Sequence, residues 1–432
     1  MNREFELPVN TPDSSVLPKL PLLPLLLLLP LLLLLPLLLL PGRRVGAATI
    51  LALALLLASC GGGGESKTGS GGTGSVPTSS DLVASGPLNS LGPTNIGGLA
   101  LDDTAASIQI NAAGALSNSE LRLGMLAESA GSYTVGNSSG TARTLTAESA
   151  VIGPVRTVDL TGQRLTVLTL NVQVNANTIF DGAPSLGALA AGTRVEIYGL
   201  PQSPANSLLA TRIVVLPPDD NAQIEILGTV SGLTATQFNL QGAQVAAQNA
   251  TLFIFGGPPL PNPILSIGEN ARVRVVGSFN AATNVITATL VVGGLNPERS
   301  DGSYLVLDGL VQSVGAAGHF RVSDTDIDAT RVNIAGIAVG SQVRVRGTKQ
   351  AGALLATELQ VLSPADRIVY TVQGEVTDLV SLANFRVRGE KINAGLAQFS
   401  GAASTLANHS QVRVKAVAGP GQLTATEVTL LP

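Results

Sequence analysis

Along the second half of the chain, apolar and charged residues alternate strictly in four short stretches: TRVEIYG (193–199), ARVRVVG (271–277), SQVRVRG (341–347) and SQVRVKA (410–416). Val195/Ile197, Val273/Val275, Val343/Val345 and Val412/Val414 share one parity. Arg194/Glu196, Arg272/Arg274, Arg344/Arg346 and Arg413/Lys415 share the other. A period of two with a single apolar face predicts a half-buried antiparallel strand. After a short polar turn each stretch is followed by a second one built around an Ala-Thr pair, at Ala210, Ala288, Ala356 and Ala425. The openings also match: VIGPV at 151, ILGTV at 226, LDGLV at 307 and VQGEV at 372. A divergent earlier copy fills the same two slots with SELRLGMLAESAG (119–131) and ARTLTAESAV (142–151).

Five copies of one small unit follow from this spacing, because self-similarity at a fixed period marks a repeat protein. In the third copy the pattern predicts strands over 224–231, 236–247, 250–255, 270–278 and 284–292, with a bend at Gly242 and an insertion, GGPPLPNP, at 256–263. Short helical or turn segments precede the fourth strand in each copy, and GPTNIGGLALDD, from 92, supplies the poorly matched opening strand of the first. Five strands with a small helix before the fourth is the layout of an OB-like barrel, with a small β-sandwich as the alternative. The expected fold is therefore all-β: a tandem array of about five small OB-like barrels, in copies covering 87–150, 151–219, 220–298, 299–364 and 365–432. Units of this size are marginal alone. Side contacts between neighbouring copies, as in other arrays, are expected, with prolines in the junctions limiting flexing between beads.

Ahead of the array the pattern changes. Residues 1–41 contain a low-complexity Leu/Pro segment with prolines recurring at Pro24, Pro30 and Pro36. A membrane span of this composition is one reading; the preferred one is sequence upstream of the true start, with initiation just before Arg43. Residues 42–59 then run from a basic GRR through an apolar stretch to LASC, the layout of a secretory signal. Residues 60–86 begin with a Gly/Ser tract that behaves as a flexible linker.

Leu57-Ala58-Ser59-Cys60 resembles the bacterial lipobox. That resemblance implies acylation of Cys60 on its nucleophilic sulfur and cleavage before it, and Gly61 after the cysteine implies sorting to the outer membrane. The tandem copies opening G-x-V, with LRLGM and GTRVEIYG before an Ala-Thr strand, resemble a bacterial domain family of unknown function over about 90–432. Its members are small β-barrels repeated in exported lipoproteins. The implied location is the cell envelope, as an outer-membrane lipoprotein facing periplasm or exterior, with the membrane as partner through the N-terminal lipid.

Composition narrows the chemistry. Charged residues make up 12%, aromatics 3%, and the net charge is −4. A nucleic-acid binder carries a basic domain and stacking aromatics, so nucleic acid is not an expected partner. The single cysteine and two histidines, His319 and His409, exclude a thiolate zinc site and leave little acid–base chemistry. No enzyme, cofactor or metal is expected. Asp324, Asp326 and Asp328 alternate as in a calcium loop, but Ala329 and Ala335 stand where glycine and glutamate belong, which favours a solvated turn. Phe180, Phe238, Phe253, Phe320 and Phe385 are expected to fill barrel cores.

The remaining candidate is the row of basic residues on the fourth strands: Arg194, Arg272, Arg274, Arg344, Arg346, Arg413 and Lys415. One reading is a stripe that binds an acidic polymer or small ligand. The other is a solvated sheet face on which Arg212, Glu358 or Glu427 of the adjacent strand supplies pairing. The function expected is a non-catalytic scaffold that holds envelope proteins or glycans, with a binding module for an acidic glycan or small ligand as the alternative.

Overall fold

A computed structural model describes residues 79–111, 116–134, 139–219, 223–254, 259–260, 264–295, 299–363, 366–401 and 406–432. Cys60, the Leu/Pro segment and the signal-like stretch lie outside the described residues. The described chain is strands and turns; its helical pieces are single turns of 3-10 helix, such as Asn118–Glu120 and Leu186–Ala188.

Barrel 2 shows how each copy closes. Its opening strand, Val151–Asp159, pairs antiparallel with Arg164–Val167, which pairs with Leu170–Gln173. That third strand runs parallel to the start of the last strand, Ser207–Val215. The last strand pairs with Arg194–Gln202, which returns to the opening strand. The ring order is therefore first, second, third, fifth, fourth, first: the OB-like layout, not a sandwich. The other four copies close in the same order, barrel 3 through a bridge between Ser231 and Asn239. Between the third and fourth strands, barrels 2 and 3 carry the expected short helical segment as a single 3-10 turn, Leu186–Ala188 and Ile264–Ile267. In barrel 2 a short strand, Ile179–Asp181, lies parallel to the last strand and leads into the 3-10 turn.

Alternation produces these cores directly. Gln411–Gly419 buries every second residue, and Val412, Val414 and Ala416 go inward. Phe180, Phe238, Phe320 and Phe385 are buried, while Phe253 is half-buried on Thr251–Ile254. In the third copy the long second strand is a hairpin, Gln237–Leu240 and Ala243–Ala246, turned at Gln241-Gly242. Both turn residues have positive φ, the conformation of a two-residue hairpin whose twist matches its strands.

One glycine in the repeat has a clear task. Gly131, Gly277 and Gly347 each follow the charged strand at a register shift, and a Cβ at Gly347 would sit 2.0 Å from the Leu355 carbonyl oxygen. At these three glycines the bulge brings the two strands too close for a side chain. Barrel 5 carries Ala416 at the same shift.

Barrel 1 departs from expectation. Its opening strand is Ser79–Leu91, which begins inside the stretch read as linker. Thr94–Ile96 and Leu99–Asp102, within GPTNIGGLALDD, form the second and third strands. Because the second strand is so short, one edge of Leu82–Ser85 has no partner within the barrel. An unpaired edge is a template for another strand, and here it is covered in parallel by Tyr304–Leu307 of barrel 4. Further on, Ser90-Leu91 pair with Thr371-Val372 of barrel 5.

The copies are therefore not separate beads touching only in chain order. Hydrogen bonds join barrels 1, 4 and 5 into one continuous sheet and barrels 2 and 3 into another. One apolar core is shared by barrels 1 and 5, a second by barrels 2 and 3, and a smaller one fills barrel 4.

Candidate functional site: the joints and the cleft around barrel 1

The outward parity of the charged strands was expected to face either a ligand or water. Much of it faces another barrel. Arg274 is 1% exposed. Its guanidinium donates to Glu148, to Asn111 Oδ1 at 3.1 Å and to the Ser149 carbonyl at 2.9 Å, all at the end of barrel 1. It also donates to Glu225 Oε2 of its own barrel at 3.1 Å. Asn111 in turn donates to Glu196 of barrel 2 at 2.5 Å. Three barrels meet around one cation.

Arg212, read as a surface partner, makes a second joint. It is 1% exposed and donates to both Glu390 oxygens at 3.1 Å, to Asp181 Oδ2 at 2.6 Å and to the Leu123 carbonyl at 3.0 Å. Glu390 belongs to barrel 5 and also accepts from the Leu123 amide at 2.8 Å. Burial disfavours the charged form of Arg212, but Glu390 and Asp181 outweigh it and hold its pKa above the ordinary value. Beside it, Asn177 of barrel 2 binds the approach to barrel 5, accepting from the Ile368 amide and the Tyr370 hydroxyl at 2.9 Å.

Barrels 1 and 4 meet at a third joint. Arg299, in a junction that reads only as a polar turn, donates to Glu128 Oε2 at 2.9 Å and Asp324 Oδ1 at 3.0 Å. Tyr133 and Tyr304 stack with ring centroids 4.3 Å apart. Burial, then the neighbouring Tyr133, pushes the Tyr304 hydroxyl up to about 12. The two carboxylates on Arg299 diverge. Burial raises Glu128 despite the cation. Asp324 is also opposed by burial, yet Arg299, Arg272 and two hydrogen bonds leave it below its ordinary value.

The rest of the basic row divides. Arg344 pairs with buried Asp308 at 3.0 Å. Arg346 donates to the Gly97 carbonyl of barrel 1 at 3.1 Å and reaches Glu358 at 3.4 Å. Arg413 donates to Gln373, and Lys415 to Glu427 at 2.9 Å, on the open face of barrel 5. The guanidiniums of Arg194 and Arg272, both half-buried, make no hydrogen bond or ion pair among the described residues, although Arg272 acts at longer range on Asp324 and Glu128. The stripe is thus broken into joints, surface pairs and two guanidiniums without a hydrogen bond or ion pair among the described residues.

The aspartates of the calcium-like run lie on and beside the hairpin of His319–Val322 and Thr325–Asp328, each with its own partner: Arg299, Arg321 and Thr330. Among the described residues no group of three or more His, Cys, Asp or Glu is placed to hold a metal ion. His319 is exposed on that hairpin, and exposed His409 bonds Glu375.

A cavity of about 460 Å³ opens against the outside of barrel 1 where barrels 3 and 4 come up to it. Its lining includes half-buried Leu126 and Leu295, and it reaches Leu82 and Val83, which are buried in the barrel cores. Arg272 comes from barrel 3, and Arg299 and Asp324 from the barrel 4 side. Alternation alone places Arg272 on the outer face. Nothing in the sequence signals Glu148, Glu390 or Arg299 as its neighbours' partners, since each needs a barrel distant in sequence.

Three tandem stretches of the chain, residues 152–214, 228–292 and 301–360, match the family described as a domain of unknown function, DUF5666. They coincide with barrels 2, 3 and 4, as the repeat pattern implies; barrels 1 and 5 share the fold outside the matched stretches. No curated protein matches the chain.

Proposed function

We propose that the protein is a lipid-tethered scaffold of the bacterial cell envelope, holding protein or glycan partners and carrying out no chemistry of its own. The observation that supports it most is the use made of the buried charge. Arg212, Arg274 and Arg299 each link barrels that are separate in sequence. A fixed body presents its faces in constant geometry, which lowers the ordering cost of binding. Cys60 supplies the tether: acyl chains on one residue anchor firmly when more than one is present. The glycine after it directs the body to the outer membrane.

The test is expression of the full chain in a diderm bacterium, membrane fractionation and mass spectrometry of the mature N-terminus. The expected product begins at acylated Cys60 in the outer-membrane fraction, and Cys60→Ala loses both the lipid and that location. An unacylated wild-type chain in the cytosol overturns the tether.

A second reading, binding of an acidic glycan or small ligand, is favoured by Arg272, a guanidinium in a cleft with no hydrogen bond or ion pair among the described residues. It expects salt-sensitive retention on an acidic polysaccharide such as polygalacturonate, lost in the Arg272→Glu, Arg344→Glu double variant.

A further inference from the structure

The cleft against barrel 1 has an uneven balance of used and unused hydrogen-bonding groups. Its carboxylates are largely consumed: Glu128 and Asp324 by Arg299, Asp308 by Arg344, and Asp81 by exposed Arg143 at 3.6 Å. Glu148 gives one oxygen to Arg274, while its Oε1 is buried with no hydrogen-bond partner. Donors are left over. Arg272 carries a full guanidinium fork with no ion pair or hydrogen bond among the described residues. Around it, the Gln109 amide and the hydroxyls of Ser85, Thr144, Thr146 and Ser323 also line the cleft without side-chain partners among the described residues. Half-buried Leu126 and Leu295 add apolar surface to the same cleft.

We propose that this cleft binds a carboxylate-bearing, hydroxyl-rich ligand of one or two sugar units, its carboxylate on Arg272. The proposal rests on the binding reading above and gives it a place. A planar guanidinium takes a carboxylate through two parallel hydrogen bonds, which a point charge does not. Serine and threonine hydroxyls both donate and accept, so they match sugar hydroxyls in either sense. Leu126 and Leu295 offer the C–H face of a pyranose ring an apolar contact. About 460 Å³ lies within the size range of small-molecule sites and is too small to swallow a polymer. A polymer would enter by an end or a single unit. Arg194 serves as the internal comparison: it occupies the equivalent strand position of barrel 2 and is equally unpaired among the described residues, but does not line this cleft.

The experiment is calorimetric titration of the full chain in detergent with digalacturonic acid and, as its uncharged match, the dimethyl ester. The expected result is binding of the acid, at least tenfold weaker binding of the ester, a loss of at least tenfold in Arg272→Gln, and no change in Arg194→Gln. Circular dichroism of each variant checks that it is folded. Equal binding of acid and ester, or an Arg272→Gln variant that binds like wild type, overturns the proposal. If polygalacturonate is retained while the dimer fails to bind, the cleft is wrong and the broader binding reading stands. If neither binds, both fall.

Discussion

Arg274 in barrel 3 and Arg413 in barrel 5 occupy the same slot of the same strand, yet they live in different physical worlds. Arg274 is buried and donates to four groups from two barrels. Arg413 is exposed and among the described residues donates only to Gln373 on the neighbouring strand. The repeat determines the strand, its parity and the side on which the cation emerges. What that side meets depends on how the barrels assemble, and barrel 5 leaves this face open. Barrel 4 is intermediate: Arg344 in the same slot is half-buried and pairs with buried Asp308 of its own barrel at 3.0 Å. A repeated charge in a repeat protein is therefore no guide to a repeated role.

The sharpest way to break the comparison is to remove both cations. Arg274→Met leaves Glu148 in a buried joint without its counter-charge. Stripping one member of a buried pair costs about 3–5 kcal/mol, to be read as a fall in the urea midpoint of the whole body. Next in size is the bulge glycine. Gly347→Ala forces a Cβ against the Leu355 carbonyl and is expected to cost about 1–3 kcal/mol in the same measurement. Barrel 5 already accommodates alanine there, so Ala416→Gly should bring no comparable gain.

A smaller effect separates the two acids on Arg299. Glu128 has a folded pKa above 4.5, so its contribution is present below that value and is lost as pH rises through the folded pKa. Asp324 has a folded pKa below 3.8, so its contribution is present above 3.8 and is lost as pH falls through the folded pKa. Denaturation midpoints between pH 3 and 7 should show Glu128→Gln flattening the limb above 4.5 and Asp324→Asn flattening the acid limb. One common slope change for both variants would contradict the opposed shifts. Last, Arg413→Ala should leave the midpoint nearly unchanged, because its side chain is exposed and bonds only a surface glutamine.

The strands and their parity were legible because alternation over seven or more residues has one physical reading. Val412, Val414 and Ala416 went inward as their spacing dictates. The Gly242 bend was legible for a similar reason, since a hairpin turn demands positive φ. The start of barrel 1 was not. Ser79–Leu91 follows a Gly/Ser tract and itself carries four serines, so its first half, to 86, reads as linker. It is a strand because it pairs along Leu126–Thr134 of its own barrel and with strands of two other barrels. The joints were illegible for the same reason. Arg212 and Glu390, or Arg299 and Glu128, are distant in sequence and carry no local signal that pairs them. Arg272 was placed correctly on an outer face, but only the arrival of barrels 1 and 4 makes a cleft of it.

Small-angle scattering of residues 79–432 tests most directly whether the five barrels are one locked body. A compact chain of about 350 residues has a radius of gyration of about 20 Å. The pairing of barrel 1 with barrels 4 and 5 expects a value near that, unchanged between low and high salt. Five barrels strung end to end would give roughly twice as much, and a value in that range would contradict the joints on which the scaffold rests.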